Sequence, residues 1–257
     1  MSDSPSEAPS APRTRLYVSE DLSAGAAVAL GGDRAHYLRG VLRLAPRAPV
    51  ALFNGRDGEW RATIEALDKR GARLRVEGRR RPQTQAGDLW AVFAPIKKAR
   101  LDFLAEKATE LGATALQPVF TRHTDVGRVN IARLAANAVE AAEQCERLDV
   151  PAVREPVDLA GLLEAWPADR ALLVCVEVGE AEPAAAAARR LSGGPAAVLT
   201  GPEGGFRQSE LDLMRGLPFV HPVGLGPRVL RAETAMLAML ALWGGIAGDG
   251  GERPPRS

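Results

Sequence analysis

Beyond a polar stretch at residues 1–14, apolar and polar positions alternate in short runs: Arg15 to Val18, Ala27 to Leu30, Pro49 to Asn54, Glu59 to Asp68 and Ala72 to Glu77. A period of two, broken by Gly, Pro or Asp, predicts strands of a small β-barrel or sandwich. Asn54-Gly55 and Asp57-Gly58 predict a tight hairpin. Apolar residues at 37, 38, 41, 42 and 44 predict a short helix over Asp33 to Leu44. The rhythm changes after Arg81 to Gly87, which lacks apolar periodicity and reads as a linker at 82–87. Helical stripes follow at Lys98 to Leu111, closing on Gly112, and at Ile131 to Leu148, with Asn130 as N-cap. Strand-like runs at Leu89 to Ala94, Ala115 to Phe120, Ala171 to Glu177, Ala196 to Thr200 and Phe219 to Val223 lie between helices. That alternation predicts a parallel sheet covered on both faces. Ala184 to Ala188 reads as an alanine-rich surface helix, and a long apolar helix is expected from about Arg231 to Trp243.

Composition changes this picture little. The 257 residues are 46% hydrophobic and 25% charged, which is globular. No apolar run approaches the roughly 20 residues that span a bilayer, and the N-terminus lacks the apolar core of a secretory signal. The two ends, 1–14 and 248–257, read as disordered tails. Cys145 and Cys175 form no disulfide framework, and His36, His123 and His221 form no metal-ligand pattern, so a reducing cytoplasm and no metal are expected.

Charge is distributed unevenly. Residues 1–81 carry 15 basic against 10 acidic residues, and the remainder 18 against 22. The run Arg79, Arg80, Arg81 ends the basic part. Guanidinium forks suit phosphate oxygens, so nucleic acid is a candidate partner beside the plain alternative of a solvated face.

The chemistry is concentrated in the last 60 residues. A buried strand runs into Gly201-Pro202-Glu203-Gly204-Gly205-Phe206, followed by a helix over Ser209 to Leu217. A second strand runs into Gly224-Leu225-Gly226-Pro227-Arg228-Val229-Leu230-Arg231. Ligands of parallel sheets sit beyond the carboxyl ends of strands, so both loops belong to one site. Glycines there let main-chain groups approach a ligand. No Gly-Lys-Ser/Thr follows, and the dinucleotide fingerprint is not met.

LTGPEGGF at Leu199 to Phe206, with LGPRVLRAETA at Leu225 to Ala235, resembles the knotted SPOUT (α/β-knot) methyltransferases, most closely the ribosomal RNA small subunit methyltransferase E family. KKARLDFLAEKATELGA, EAAEQCERLDVP and the set RLYV, HYLRGVLRL and LFNG resemble further segments of that family, so the likeness spans nearly the whole chain. FTRHTD at Phe120 to Asp125 departs from it, because many relatives carry a serine after the arginine.

The resemblance implies an α/β protein: a PUA-like β-barrel that binds RNA at 15–81, and a trefoil-knotted parallel-sheet SPOUT domain at 88–247. It implies S-adenosylmethionine as cofactor, 16S rRNA of the small ribosomal subunit as partner, methylation at N3 of uridine 1498, and a homodimer through the knot domain. Cofactor contacts would be Glu177, Leu199, Thr200, Gly201, Pro202, Glu203, Gly204, Val223, Gly224, Leu225, Gly226, Arg228, Val229 and Leu230. Glu203 is the candidate proton acceptor, with capping of the next helix or pairing with an arginine as its structural alternative. Arg228 and Arg231 are candidates for stabilising charge on the uracil carbonyls. Thr234 reads as a helix cap. RNA contacts are expected at Arg15, Arg39, Arg43, Arg61, Arg79, Arg80, Arg122 and Arg147. Alternatives are a knotted transferase acting on another rRNA or tRNA site, and an RNA-binding protein without activity.

Overall fold

The structure is a computed structural model that describes residues 12, 14–84 and 87–252. Most of the first expected tail, half of the second and part of the expected linker therefore lie outside the described residues. The chain forms two compact units: residues 1–85 with Glu143–Asp149, and residues 86–142 with 150–257. The segment Glu143–Asp149, which the sequence assigns to the C-terminal domain, thus packs with the first unit.

The first unit is a five-stranded sheet built from β1 (Arg15–Tyr17), β2 (Ala27–Leu30), β3 (Pro49–Phe53), β4 (Glu59–Leu67) and β5 (Ala72–Arg81). The order is β1-β3-β4-β5-β2, with β1 parallel to β3 and the other pairs antiparallel. Alternating residues such as Val50, Leu52, Ala62, Ile64, Leu74 and Val76 fill its core. The expected hairpin joins β3 to β4. Asn54 Oδ1 accepts from the backbone N–H of Arg56 and Asp57 at 3.0 and 2.9 Å, a side-chain turn that residues of this type favour. Gly58 has φ +84°, and a Cβ there would lie 2.3 Å from the Arg81 carbonyl, so only glycine fits. In place of a single helix over Asp33 to Leu44 there is α1 (Gly32–His36) followed by a π-helical turn, Tyr37–Val41. Leu38 is buried, whereas Tyr37 and Val41 are exposed.

A buried carboxylate organises this unit. The Glu59 side chain is 2% exposed and accepts from Arg15 Nε and Arg81 Nη2, each at 2.7 Å, and from Arg80. Arg15 also donates to the carbonyls of Glu143 and Arg147 at 3.0 and 2.9 Å and lies 4.5 Å over the Phe53 ring. Burial pushes the Glu59 carboxyl up, but the hydrogen bonds from Arg81 and Arg15 outweigh it and leave the carboxyl below its ordinary range. Burial pulls the Arg15 guanidinium down.

The second unit is an α/β structure whose main sheet pairs in parallel throughout. In chain order it contains β6 (Leu89–Phe93), α2 (Lys98–Glu110), β7 (Ala115–Phe120), α3 (Ile131–Cys145), whose last turn belongs to the first unit, β8 (Ala152–Val153) and β9 (Val157–Asp158). Then follow α4 (Leu159–Glu164), β10 (Ala171–Cys175), β11 (Glu182–Pro183), α5 (Ala184–Arg190), β12 (Ala196–Thr200), α6 (Gln208–Arg215), β13 (Val220–Gly224) and α7 (Ala232–Ala247). The strand order is β11-β13-β10-β12-β6-β7-β8, and β9 also pairs with β7. Alternate residues of β6 serve opposite faces: Leu89, Ala91 and Phe93 pack with α2, α5 and α7, while Trp90 and Val92 pack with α4 and α6. Gly112, at φ +87°, ends α2; Ala113 N–H bonds to the Ala108 carbonyl and Gly112 N–H to that of Thr109, the paired bonds of a Schellman cap. Asn130 Oδ1 accepts from Arg133 N–H at 3.0 Å and caps α3 as expected.

Three expectations are corrected here. The strand after Ala171 ends at Cys175, so Val176 and Glu177 already belong to a loop. The alanine-rich helix α5 is not a surface helix: Ala184, Ala187 and Ala188 are buried, because small side chains allow its backbone close to α7. Thr234 does not cap α7, since it is an exposed residue in the first turn behind the N-cap Arg231.

Candidate functional site

The carboxyl ends of β10, β12 and β13 are adjacent because β10 lies between the other two. Their loops enclose a cavity of about 780 Å3, within the size range of small-molecule sites. Its wall comprises Arg100, Cys175 to Gly179, Ala181, Thr200 to Phe206, Leu211, Gly224 to Ala232 and Ala235. Close approach explains the glycine at 201, where a Cβ would stand 3.0 Å from the Phe206 ring. Gly226 has φ +98°, a conformation that side chains rarely adopt.

Two buried oxygens, Thr200 Oγ1 on the cavity wall and Glu233 Oε2 behind it, have no hydrogen-bond partner among the described residues. Such atoms are costly unless a ligand or water satisfies them. Arg100, on the first turn of α2, ion-pairs with Glu203, and its Nε lies 3.6 Å from Glu233 Oε1. Arg228 and Arg231 are exposed on the second loop and make no ion pair to the described residues. Burial pushes the Cys175 thiol up to about 12, so this cysteine is a neutral wall residue and not a nucleophile.

The alternative for Glu203 as a helix cap is removed: Glu210 caps α6, its carboxylate accepting from Arg207 N–H at 2.8 Å and from Arg122 N–H at 2.9 Å. Pairing with an arginine is observed, through Arg100.

Family models match the chain along most of its length, an RNA methyltransferase domain at residues 83–244 and an RNA methyltransferase PUA domain at 30–77. The ribosomal RNA small subunit methyltransferase E of Rickettsia conorii is 33% identical over 231 residues, covering 88% of this chain and 93% of its own length. The chain belongs to the ribosomal RNA small subunit methyltransferase E family. A second member, from Synechocystis, is 34% identical over 233 residues, covering 88% of this chain and 76% of its own. The crystal structure of the Neisseria gonorrhoeae member bound to S-adenosyl methionine superposes with a TM-score of 0.84 at 28% identity, covering 92% of this chain and 98% of that one.

The residues present fit the family's cofactor. It carries a sulfonium cation and no phosphate, and the wall has glycine-rich main chain, apolar surface and an orphaned hydroxyl but no lysine. Of the cofactor contacts expected from the sequence, twelve border the cavity; Leu199 and Val223 do not, being fully buried in the sheet with their side chains in the core. The glutamate and both arginines expected in catalysis border it too. Sequence reasoning missed Arg100, which is 103 residues from Glu203, and, beside the expected Glu177, the loop residues Val176, Val178, Gly179 and Ala181. The loop's signal was a third strand end, and Arg100's was its place in the KKAR segment.

The expected RNA contacts divide. Arg39, Arg43, Arg79 and Arg122 are exposed. Arg15 instead lies in the Glu59 cluster, and Arg147 pairs with Asp149 at 2.8 Å with a side chain only 12% exposed, so both are structural. Arg80 is held by Glu59 and Arg61 by Glu77. Much of the basic excess is neutralised locally, and the free basic surface is narrower than composition implied.

Proposed function

We propose that this protein transfers a methyl group from S-adenosylmethionine to N3 of uridine 1498 in 16S rRNA of the small ribosomal subunit. The observation that carries the reading is the cavity at three strand ends, walled by two glycine loops and holding Glu203 and Arg100 at its side. Thr200 to Gly204 and Gly224 to Leu230 would hold the cofactor mainly through main-chain groups, with the Thr200 hydroxyl gaining the partner it lacks. When bound, the cofactor supplies an electrophilic methyl group on sulfonium.

The uracil N3 carries a weakly acidic proton, which must leave as the nitrogen attacks. Glu203 accepts it, directly or through water, while Arg100 orients its carboxylate. Arg228 and Arg231 project from the opposing loop and stabilise negative charge on the uracil carbonyls. Arg39, Arg43 and Arg79 on the first unit and Arg122 on the second contact RNA phosphates. The reading includes a threaded C-terminal strand and helix, a homodimer and a cytoplasmic location, where ribosomal subunits are built. No helix in the described residues is long and apolar enough to cross a membrane.

The test is incubation of purified protein and labelled cofactor with small subunits from a strain lacking the enzyme, followed by mapping of the modified nucleoside. Label in 3-methyluridine at position 1498 is expected. Label in a 2′-O-methylribose, or none, refutes the proposal.

A further inference from the structure

His123 lies between β7 and α3, far in sequence from the glycine loops, yet its ring is fully engaged with one of them. Nδ1 is 3.1 Å from the Gly204 carbonyl oxygen and 3.0 Å from that of Gly205. Nε2 is 3.2 Å from Arg207 Nε. Carbonyl oxygens only accept and a guanidinium only donates, so the hydrogen belongs on Nδ1 and the lone pair on Nε2. The contact is also steric, because a Cβ built on Gly204 would meet His123 Cβ at 3.2 Å. The histidine is itself held. Thr121 and Thr124 close a turn around it, and the buried Glu210 carboxylate ties Arg122 N–H to Arg207 N–H. The opposite side of the glycine loop is closed by Gly205 N–H to the Pro202 carbonyl at 2.9 Å.

We propose that His123 is a positioning residue for methyl transfer: as the neutral Nδ1–H imidazole it clamps the carbonyls of Gly204 and Gly205, holding the Gly201 to Gly205 loop in the shape that receives the cofactor. The inference rests on the reading of this cavity as the S-adenosylmethionine site. A loop ordered before binding spends less of the binding free energy on ordering, so the clamp acts on affinity first. A second proton on His123 would point Nε2–H at Arg207 and break the fit.

Two substitutions separate the ring nitrogens, since an Asn amide nitrogen falls where Nδ1 lies and a Gln amide reaches only toward Nε2. In calorimetric titration of the full chain with S-adenosylmethionine, His123→Gln is expected to bind about tenfold more weakly and His123→Asn within about twofold of the wild type. Gln binding as well as wild type, or Asn as poorly as Gln, overturns the clamp. Nitrogen-15 spectra of the ligand-free protein at pH 8 are expected to show Nδ1 protonated and Nε2 bare; the reverse tautomer overturns it as well. If the wild type takes up no cofactor, the functional reading fails. The clamp is then decided by amide exchange across residues 201–205, faster in His123→Gln than in His123→Asn if it holds and equal if it does not.

Discussion

Replacing Glu59 by Gln keeps the shape of the first unit and removes the charge that its arginines surround. Removing one member of a buried ion pair costs about 3–5 kcal/mol, chiefly because the partner charge is left uncompensated. That figure needs reducing here. Arg15 keeps the carbonyls of Glu143 and Arg147, Arg81 keeps that of Glu146 at 3.0 Å, and Arg80, with a side chain 39% exposed, can rehydrate. The glutamine oxygen also retains one acceptor, so a loss of about 2–3 kcal/mol is expected. For a unit of about 90 residues with a total stability of about 5–13 kcal/mol, this is a large share. It corresponds to a Tm lower by about 10–20 °C. Scanning calorimetry at neutral pH measures it, with Trp60 fluorescence reporting the first unit. The sign with pH follows from the lowered carboxyl. Its stabilisation is present above the ordinary value of 4.5 and is lost as pH falls through the lower folded value. Wild type and variant should therefore converge in acid. A Tm change under about 2 °C at pH 7, or a difference that grows in acid, would refute the buried-carboxylate argument.

Three other outcomes are expected. Thr200→Val removes an unpartnered buried hydroxyl, so the ligand-free protein should melt no lower than wild type while calorimetry shows cofactor affinity about fivefold to tenfold weaker; unchanged affinity would mean that the hydroxyl does not meet the cofactor. Arg231→Ala is expected to slow single-turnover methylation about 100-fold, with cofactor affinity within a fewfold of wild type; equal single-turnover rates would remove it from the chemistry. RNA affinity should fall steeply with salt, and Arg39→Ala, Arg43→Ala and Arg79→Ala should each lower the log–log slope by about 1. A flat slope for the wild type would deny the basic surface its role.

Much of the scaffold was legible because the signals are local. β7 and β12 fall where apolar runs place them, the Asn130 cap starts α3, and Gly112 stops α2. Both glycine loops were legible for the same reason: a strand running into glycine and proline announces its own loop. Less legible were elements whose form depends on neighbours. Over Asp33 to Leu44 the apolar spacing suits one helix, whereas burial of Leu38 accompanies a π turn at 37–41. The alanine run in α5 carries no polarity contrast to say which face is inside, and the packing against α7 supplied that.

Side-chain partners are a different matter. The amino-acid order by itself determined the α/β alternation, the paired glycine loops and the presence of Glu203, Arg228 and Arg231 on them, since periodicity and turn chemistry act over a few residues. Only tertiary structure decided that Arg100 meets Glu203, that His123 grips Gly204 and Gly205, and that Arg15 is enclosed with Glu59 instead of facing RNA. A charged side chain takes its role from the dielectric and partners around it, and those are brought together by segments 44 to 103 residues apart.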